Sequence, residues 1–209
     1  MPSRSRAVLF LAVGKNRGEA SDAELARGLI AGEPWAVSEA WRRFAPMVLM
    51  TAERALGSRT EAEDVAQDAF IRLFRSVKTL REPERLRSFV YSIAIRTLKS
   101  QLRHRRLRAW LSFQDPETLA ELRYFTLDLE SRDALRRFYI LLDRLSTRDR
   151  LVFILRRVEA MTVEEIATTM DIAPSTVKRS MLNVSKRLSR WVETDPSLMA
   201  YVDGNFEAR

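Results

Sequence analysis

Thr162-Val163-Glu164-Glu165-Ile166-Ala167-Thr168-Thr169-Met170-Asp171-Ile172-Ala173-Pro174-Ser175-Thr176-Val177-Lys178-Arg179 is the stretch whose reading decides the fold. Thr162 with Glu165 three residues on is a capping box, the local signature of a helix start. A short helix then ends near Met170. Asp171-Ile172-Ala173 reads as a turn, in which Asp tolerates the left-handed conformation moderately well. Pro174 suits the first turn of a second helix, since its missing N–H is not needed there. A short helix, a three-residue turn and a second helix make a helix-turn-helix. Val177, Met181, Val184 and Leu188 recur at helical spacing and face inward, with Ile166, Met170 and Ile172 completing a small core. Ala167 is small where the two helices cross. Ser175, Thr176, Lys178, Arg179, Leu182, Asn183 and Lys186 then point outward. Lys and Arg donate to guanine or phosphate, Asn pairs with adenine, and Ser and Thr hold phosphates, so this face suits a major groove. A helical hairpin with a solvated basic face has the same pattern.

Upstream, Ser146-Thr147-Arg148-Asp149 reads as another cap and first turn, in a helical unit beginning near Arg132. Before it, residues 109–131 carry Asp115, Glu117, Glu121, Asp128 and Glu130 against Arg123 alone. A basic segment followed by an acidic, Pro-containing one predicts a domain boundary, with a linker over 111–131.

The first domain is expected over residues 21–110. Ser21 or Asp22 caps a helix running to about Gly32, and Pro34 opens the next, with Pro46 predicting a kink or restart. After Gly57-Ser58, Val65, Ala66, Ala69, Phe70, Leu73 and Phe74 form an apolar stripe behind an acidic N-terminal half. From Leu86 to Arg108 a helix turns Phe89, Ile93, Leu98 and Leu102 inward and shows many cations outward. Arg96, Lys99, Arg103, Arg105, Arg106 and Arg108 share it with Phe89, Tyr91 and Trp110, a mixture suited to phosphates and unpaired bases. A solvated C-terminal end is the plainer reading of those cations. The fold class is therefore all-α: two small helical domains joined by a linker, the C-terminal domain (132–194) bearing the helix-turn-helix. Residues 1–20 read as a flexible extension and 195–209 as a loose polar tail.

The 209-residue chain carries a formal charge of +8, which points to an anionic partner. It has no cysteine, and its one histidine, His104, sits between Arg103 and Arg105. Thiolate metal sites and cysteine nucleophiles are excluded, and a serine triad lacks its buried base. No glycine-rich phosphate loop is present; Gly14-Lys15 lacks the preceding glycine. No catalytic residue, metal site or cofactor is expected. The apolar run Ala7–Val13 follows Arg4 and Arg6 but is short for a signal peptide and lacks a cleavage site, so a cytoplasmic protein without membrane insertion is expected.

Taken together, these segments resemble the extracytoplasmic-function (ECF) group of bacterial RNA polymerase sigma factors, over about residues 21–191. Residues Glu61 to Arg75 are similar to that family's second conserved region, whose helix docks on the clamp helices of the polymerase β′ subunit. The resemblance assigns core-polymerase binding to Asp64, Gln67, Asp68, Phe70 and Leu73. Leu86–Arg108 resembles the element that melts the −10 promoter region and holds a flipped base. It implies −10 contacts by Leu80, Phe89, Arg96, Lys99 and Arg103. Leu80 stands where many members have an aromatic, Arg96 where many have Asn, and Ser100 where an acidic residue is frequent. Leu145–Leu188 looks like the fourth region, which reads the −35 element, implying contacts by Arg156, Ser175, Thr176, Lys178, Arg179, Leu182 and Asn183. The partners implied are core RNA polymerase through β′ and β, promoter DNA and an anti-sigma factor. In the family the acidic linker threads the RNA exit path. Two rivals stay open on residues alone. One is a dimeric helix-turn-helix regulator; the other is an enzyme built on the carboxylates near 61–68, which dipole and capping roles explain more simply.

Overall fold

The computed structural model describes residues 20–112 and 129–199, and every regular element among them is helical. The extension expected over residues 1–20, most of the linker and the last ten residues of the tail lie outside the described residues. α1 (Asp22–Ala31) starts on a capping box in which Ser21 and Glu24 satisfy each other's backbone N–H groups, and it ends at Gly32 with φ 76°. α2 (Pro34–Leu56) has Pro at its first turn and ends at Gly57, φ 70°. The restart expected at Pro46 does not occur. The proline lies on the exposed side of α2, while Phe44, Ala45, Val48, Thr51 and Ala52 around it are buried. That continuous burial, at about 1.5–3 kcal/mol for each large side chain, outweighs the roughly 3 kcal/mol of an interior proline.

α3 (Arg59–Ser76) is capped by Ser58, and two single 3₁₀ turns lead into α4 (Leu86–Ser112). α5 (Leu129–Asp143) begins three residues before the expected domain start. α6 (Thr147–Phe153), capped by Ser146, runs on as a π-helical segment, Ile154–Val158. α7 (Val163–Met170) and α8 (Pro174–Glu193) come next. A short α9 (Pro196–Met199) buries Leu198, so the tail is ordered further than its polar composition predicts.

Two cores result. Leu25, Phe44, Phe70, Leu73, Leu86 and Val90 fill one that belongs to the first domain alone. The other joins the domains: Leu56, Leu98 and Leu102 pack in one cluster with Leu142, Leu151, Leu155, Ile166 and Val184. The two units are therefore docked side to side.

Candidate nucleic-acid interface

The helix-turn-helix is built as its sequence dictates. Thr162 Oγ1 accepts from Glu165 N at 3.2 Å, and Thr162 N donates to Glu165 Oε2 at 2.7 Å. The Thr162 backbone N–H and hydroxyl hold the Glu165 carboxyl below its ordinary value. Asp171 takes the left-handed conformation, φ 55°, and the next residue's N–H returns to Ala167 O at 3.0 Å. Val177, Val184 and Leu188 are buried. Ser180 is buried too, at 1 % exposure, a small residue that sequence reasoning left out of the core. The outward face carries Ser175, Lys178, Arg179, Asn183 and Lys186, all exposed, with Thr176 half-buried. Leu182 stands 61 % exposed in its middle. No acidic residue occupies the first turn of α8, so its N–H groups and positive dipole end face outward uncompensated. Cations flanking an apolar side chain at an open helix N-terminus match phosphates and base edges in a groove. Arg156 is half-buried and donates to Met161 O at 3.0 Å, bracing the approach to α7.

On the first domain, α4 exposes Arg96 and Arg103 and half-buries Lys99, and Leu80 and Phe89 are half-buried at its leading end. Arg105 breaks the expectation of outward cations: it is 5 % exposed. Its position carries the inward stripe of Leu98 and Leu102 on by one step, a spacing signal that was legible but overridden by its charge. On α3, Asp64, Gln67 and Asp68 are exposed along one side, whereas Phe70 and Leu73 are buried at 2 % and 1 % and support that surface from beneath. Phe70 stacks against Trp41, ring centroids 4.6 Å apart, and Trp41 and Ile71 are the apolar groups that emerge there, at 36 % and 40 %. Neither was singled out from sequence for that surface.

The sigma-70 region 2 profile matches residues 40–108, and the sigma-70 region 4 profile matches residues 135–188. The two together span more than half of the chain. The ferric citrate uptake sigma factor FecI of Escherichia coli K12 is 33 % identical over 132 residues, 60 % of this chain and 73 % of FecI. The chain belongs to the ECF sigma factors. The ECF sigma factor SigM of Mycobacterium tuberculosis H37Rv is 24 % identical over 174 residues, covering 83 % of this chain and 86 % of SigM. Two solved structures share the fold. One is CnrH in complex with the cytosolic domain of CnrY, with TM-score 0.59 and 21 % identity over 84 % of this chain and 99 % of CnrH. The other is the sigma factor RpoE with the anti-sigma factor NepR from Bartonella quintana, with TM-score 0.56 and 21 % identity over 76 % and 97 %.

In this sigma factor, region 2 comprises most of α2, α3 and α4, and region 4 runs from α5 into α8. The protein is thus a promoter-recognising subunit for transcription initiation, with α8 in the position of the region 4 reading helix. Among the described residues no cluster of His, Cys, Asp and Glu is arranged to hold a metal ion, and no helix is long and apolar enough to cross a membrane.

Proposed function

We propose that this sigma factor reads the −35 element with α8, through Ser175, Thr176, Lys178, Arg179, Leu182 and Asn183, with Arg156 bracing the motif. The −10 strand then lies along α4, held by Arg96, Lys99 and Arg103, with Leu80 and Phe89 at the end where a base leaves the stack. Core polymerase docks on the α3 surface of Asp64, Gln67 and Asp68, which Phe70 and Leu73 support from below. Binding energy from these contacts offsets unstacking, and no step of bond chemistry belongs to the chain itself. Two relatives of the same fold are held by CnrY and by NepR, and an inhibitory partner of that kind is part of the proposal. The observation that carries the reading is the face of α8: exposed cations, Asn183 and an open N-terminus on one side, and Val177, Val184 and Leu188 buried on the other.

Run-off transcription with core polymerase on a library of promoter fragments tests it. Transcripts that depend on this chain, and vanish with Lys178→Ala plus Arg179→Ala, are expected. Tight binding of a palindromic duplex without polymerase, and no redirected initiation, would instead fit the dimeric regulator.

A further inference from the structure

The C-terminal end of α2 makes an unusual set of contacts. The last carbonyls of any helix lack intrahelical donors. Here Glu53 O is served by the N–H of Gly57, and the next three carbonyls are each served by a side chain from elsewhere. Tyr139 of α5 donates to Arg54 O at 3.1 Å. Arg150 of α6 donates through Nε to Ala55 O at 2.7 Å, and Arg105 of α4 donates to Leu56 O at 2.7 Å. Two of the three donors come from the second domain, and two are guanidinium groups placed at the negative end of the helix dipole. Behind them Asp143 accepts from both arginines, from Arg105 Nη2 at 3.3 Å and from Arg150 Nη1. Arg106 reaches across to Leu145 O at 2.9 Å, and Arg54 pairs with Glu159 at 3.1 Å on the rim. The end of α2 is thus a socket, and the second domain a plug.

The socket is polar and imperfectly filled. Arg150 Nη2 and Asp149 Oδ1 are buried without a hydrogen-bond partner among the described residues. A cleft of about 480 Å³ stays open between Met47, Arg87 and Tyr91 on one side and Glu159, Met161 and Glu165 on the other. Carbonyls at a helix end are readily taken over by water, and polar interfaces between domains separate as a rule.

Docking is also incompatible with the reach that reading two promoter elements demands. Elements centred near −35 and −10 lie roughly 25 base pairs apart, or about 85 Å along B-form DNA. A compact body of this chain length has a radius of gyration of about 17 Å and is on the order of 45 Å across. In the docked form α8 and α4 cannot occupy both elements. We infer that docking of the second domain onto the end of α2 is a reversible idle state of this sigma factor, which must release before both promoter elements are engaged. This rests on the sigma reading above.

The test uses the full chain and measures two things: the radius of gyration by small-angle X-ray scattering, and the core polymerase concentration giving half-maximal run-off from its promoter. Asp143→Asn leaves two buried guanidinium groups without their shared anion, a loss that shifts docked toward released on the order of 100-fold. The radius of gyration should rise, and the half-maximal concentration should fall by about tenfold or more. In case Asp143→Asn fails to fold by circular dichroism, Glu159→Arg sets two like charges against each other on the rim and moves both readings the same way by less. The swap Arg54→Glu with Glu159→Arg restores both. An unchanged radius in both variants, or a radius that rises while the half-maximal concentration stays put, overturns the inference, as does a swap that restores nothing. If the unmodified chain directs no transcript at all, the sigma reading fails, the idle-state role falls with it, and the scattering decides the docking alone.

Discussion

Gly57→Ala measures the docked contact in thermodynamic terms. A Cβ built on Gly57 would lie 2.8 Å from Tyr139 Cδ1, 2.9 Å from Cε1 and 3.1 Å from Cγ. Those atoms belong to a ring 6 % exposed and anchored through its hydroxyl to Arg54 O, so it has no free end to swing aside. At φ 70°, alanine in the left-handed region costs about 1–2 kcal/mol. A stiffer unfolded chain returns roughly 0.4–1 of that. Displacing the ring adds about 1–3 kcal/mol of overpacking. Losing its hydrogen bond adds about 0.5–1.5 more. The total is near 3 kcal/mol, of which about 2 exists only because the second domain lies against Gly57. In a Tyr139→Ala background the backbone part remains and the rest vanishes. A double-mutant cycle from urea unfolding of the full chain should therefore give a coupling of about 2 kcal/mol. If Gly57→Ala costs the same in both backgrounds, to within about 0.5 kcal/mol, the ring does not sit on the glycine in solution and the docked arrangement is wrong.

Thr162→Ala removes the capping box of α7 and should cost about 1 kcal/mol, while Thr162→Ser should cost far less, since its hydroxyl still accepts from Glu165 N. Thermal unfolding checks this, with an expected fall of about 2–4 °C in Tm for alanine alone. Tyr91 offers a pH signature. Burial pushes its hydroxyl up from 10.0 to about 12, against the opposing hydrogen bond to Thr51. Because the folded value lies above the unfolded one, this contribution to stability is whole below about pH 10 and is lost as pH rises toward about 12. The urea midpoint of Tyr91→Phe, compared with the unmodified chain, should therefore gain between pH 8 and pH 11; a gap that does not move with pH contradicts the burial.

The recognition motif was legible in the sequence because each of its parts has a local cause. Thr162 and Glu165 cap, Asp171 turns, Pro174 restarts, and the apolar period of α8 separates its two faces. The exposed side of α3 was legible in the same way through Asp64, Gln67 and Asp68. What eluded the sequence is long-range. Arg105 and Arg150 look like any surface cations until the carbonyls of Ala55 and Leu56 and the carboxylate of Asp143 are brought beside them from distant parts of the chain. Ser180 reads as polar, yet it is buried beneath α8 with the apolar residues on either side of it. Pro46 carried the right local rule, but its neighbours bury too much apolar surface for the rule to prevail. Leu198 sits in a stretch too short and polar to announce a helix, and only its burial against the second core orders it.

The π-helical segment Ile154–Val158 has a consequence for how this chain tolerates changes of length. Its closing bond runs from Glu159 N to Ile154 O, 3.0 Å, so one turn holds a residue more than an α-helix would give it. Deleting one residue there lets the turn relax to the ordinary winding, with α6 before it and Thr162 after it still in register. The same deletion inside α8 would swing every later side chain by about 100° and turn the reading face away from the groove. The segment is slack in the chain, a place where one residue is lost while α7 and α8 keep their orientation.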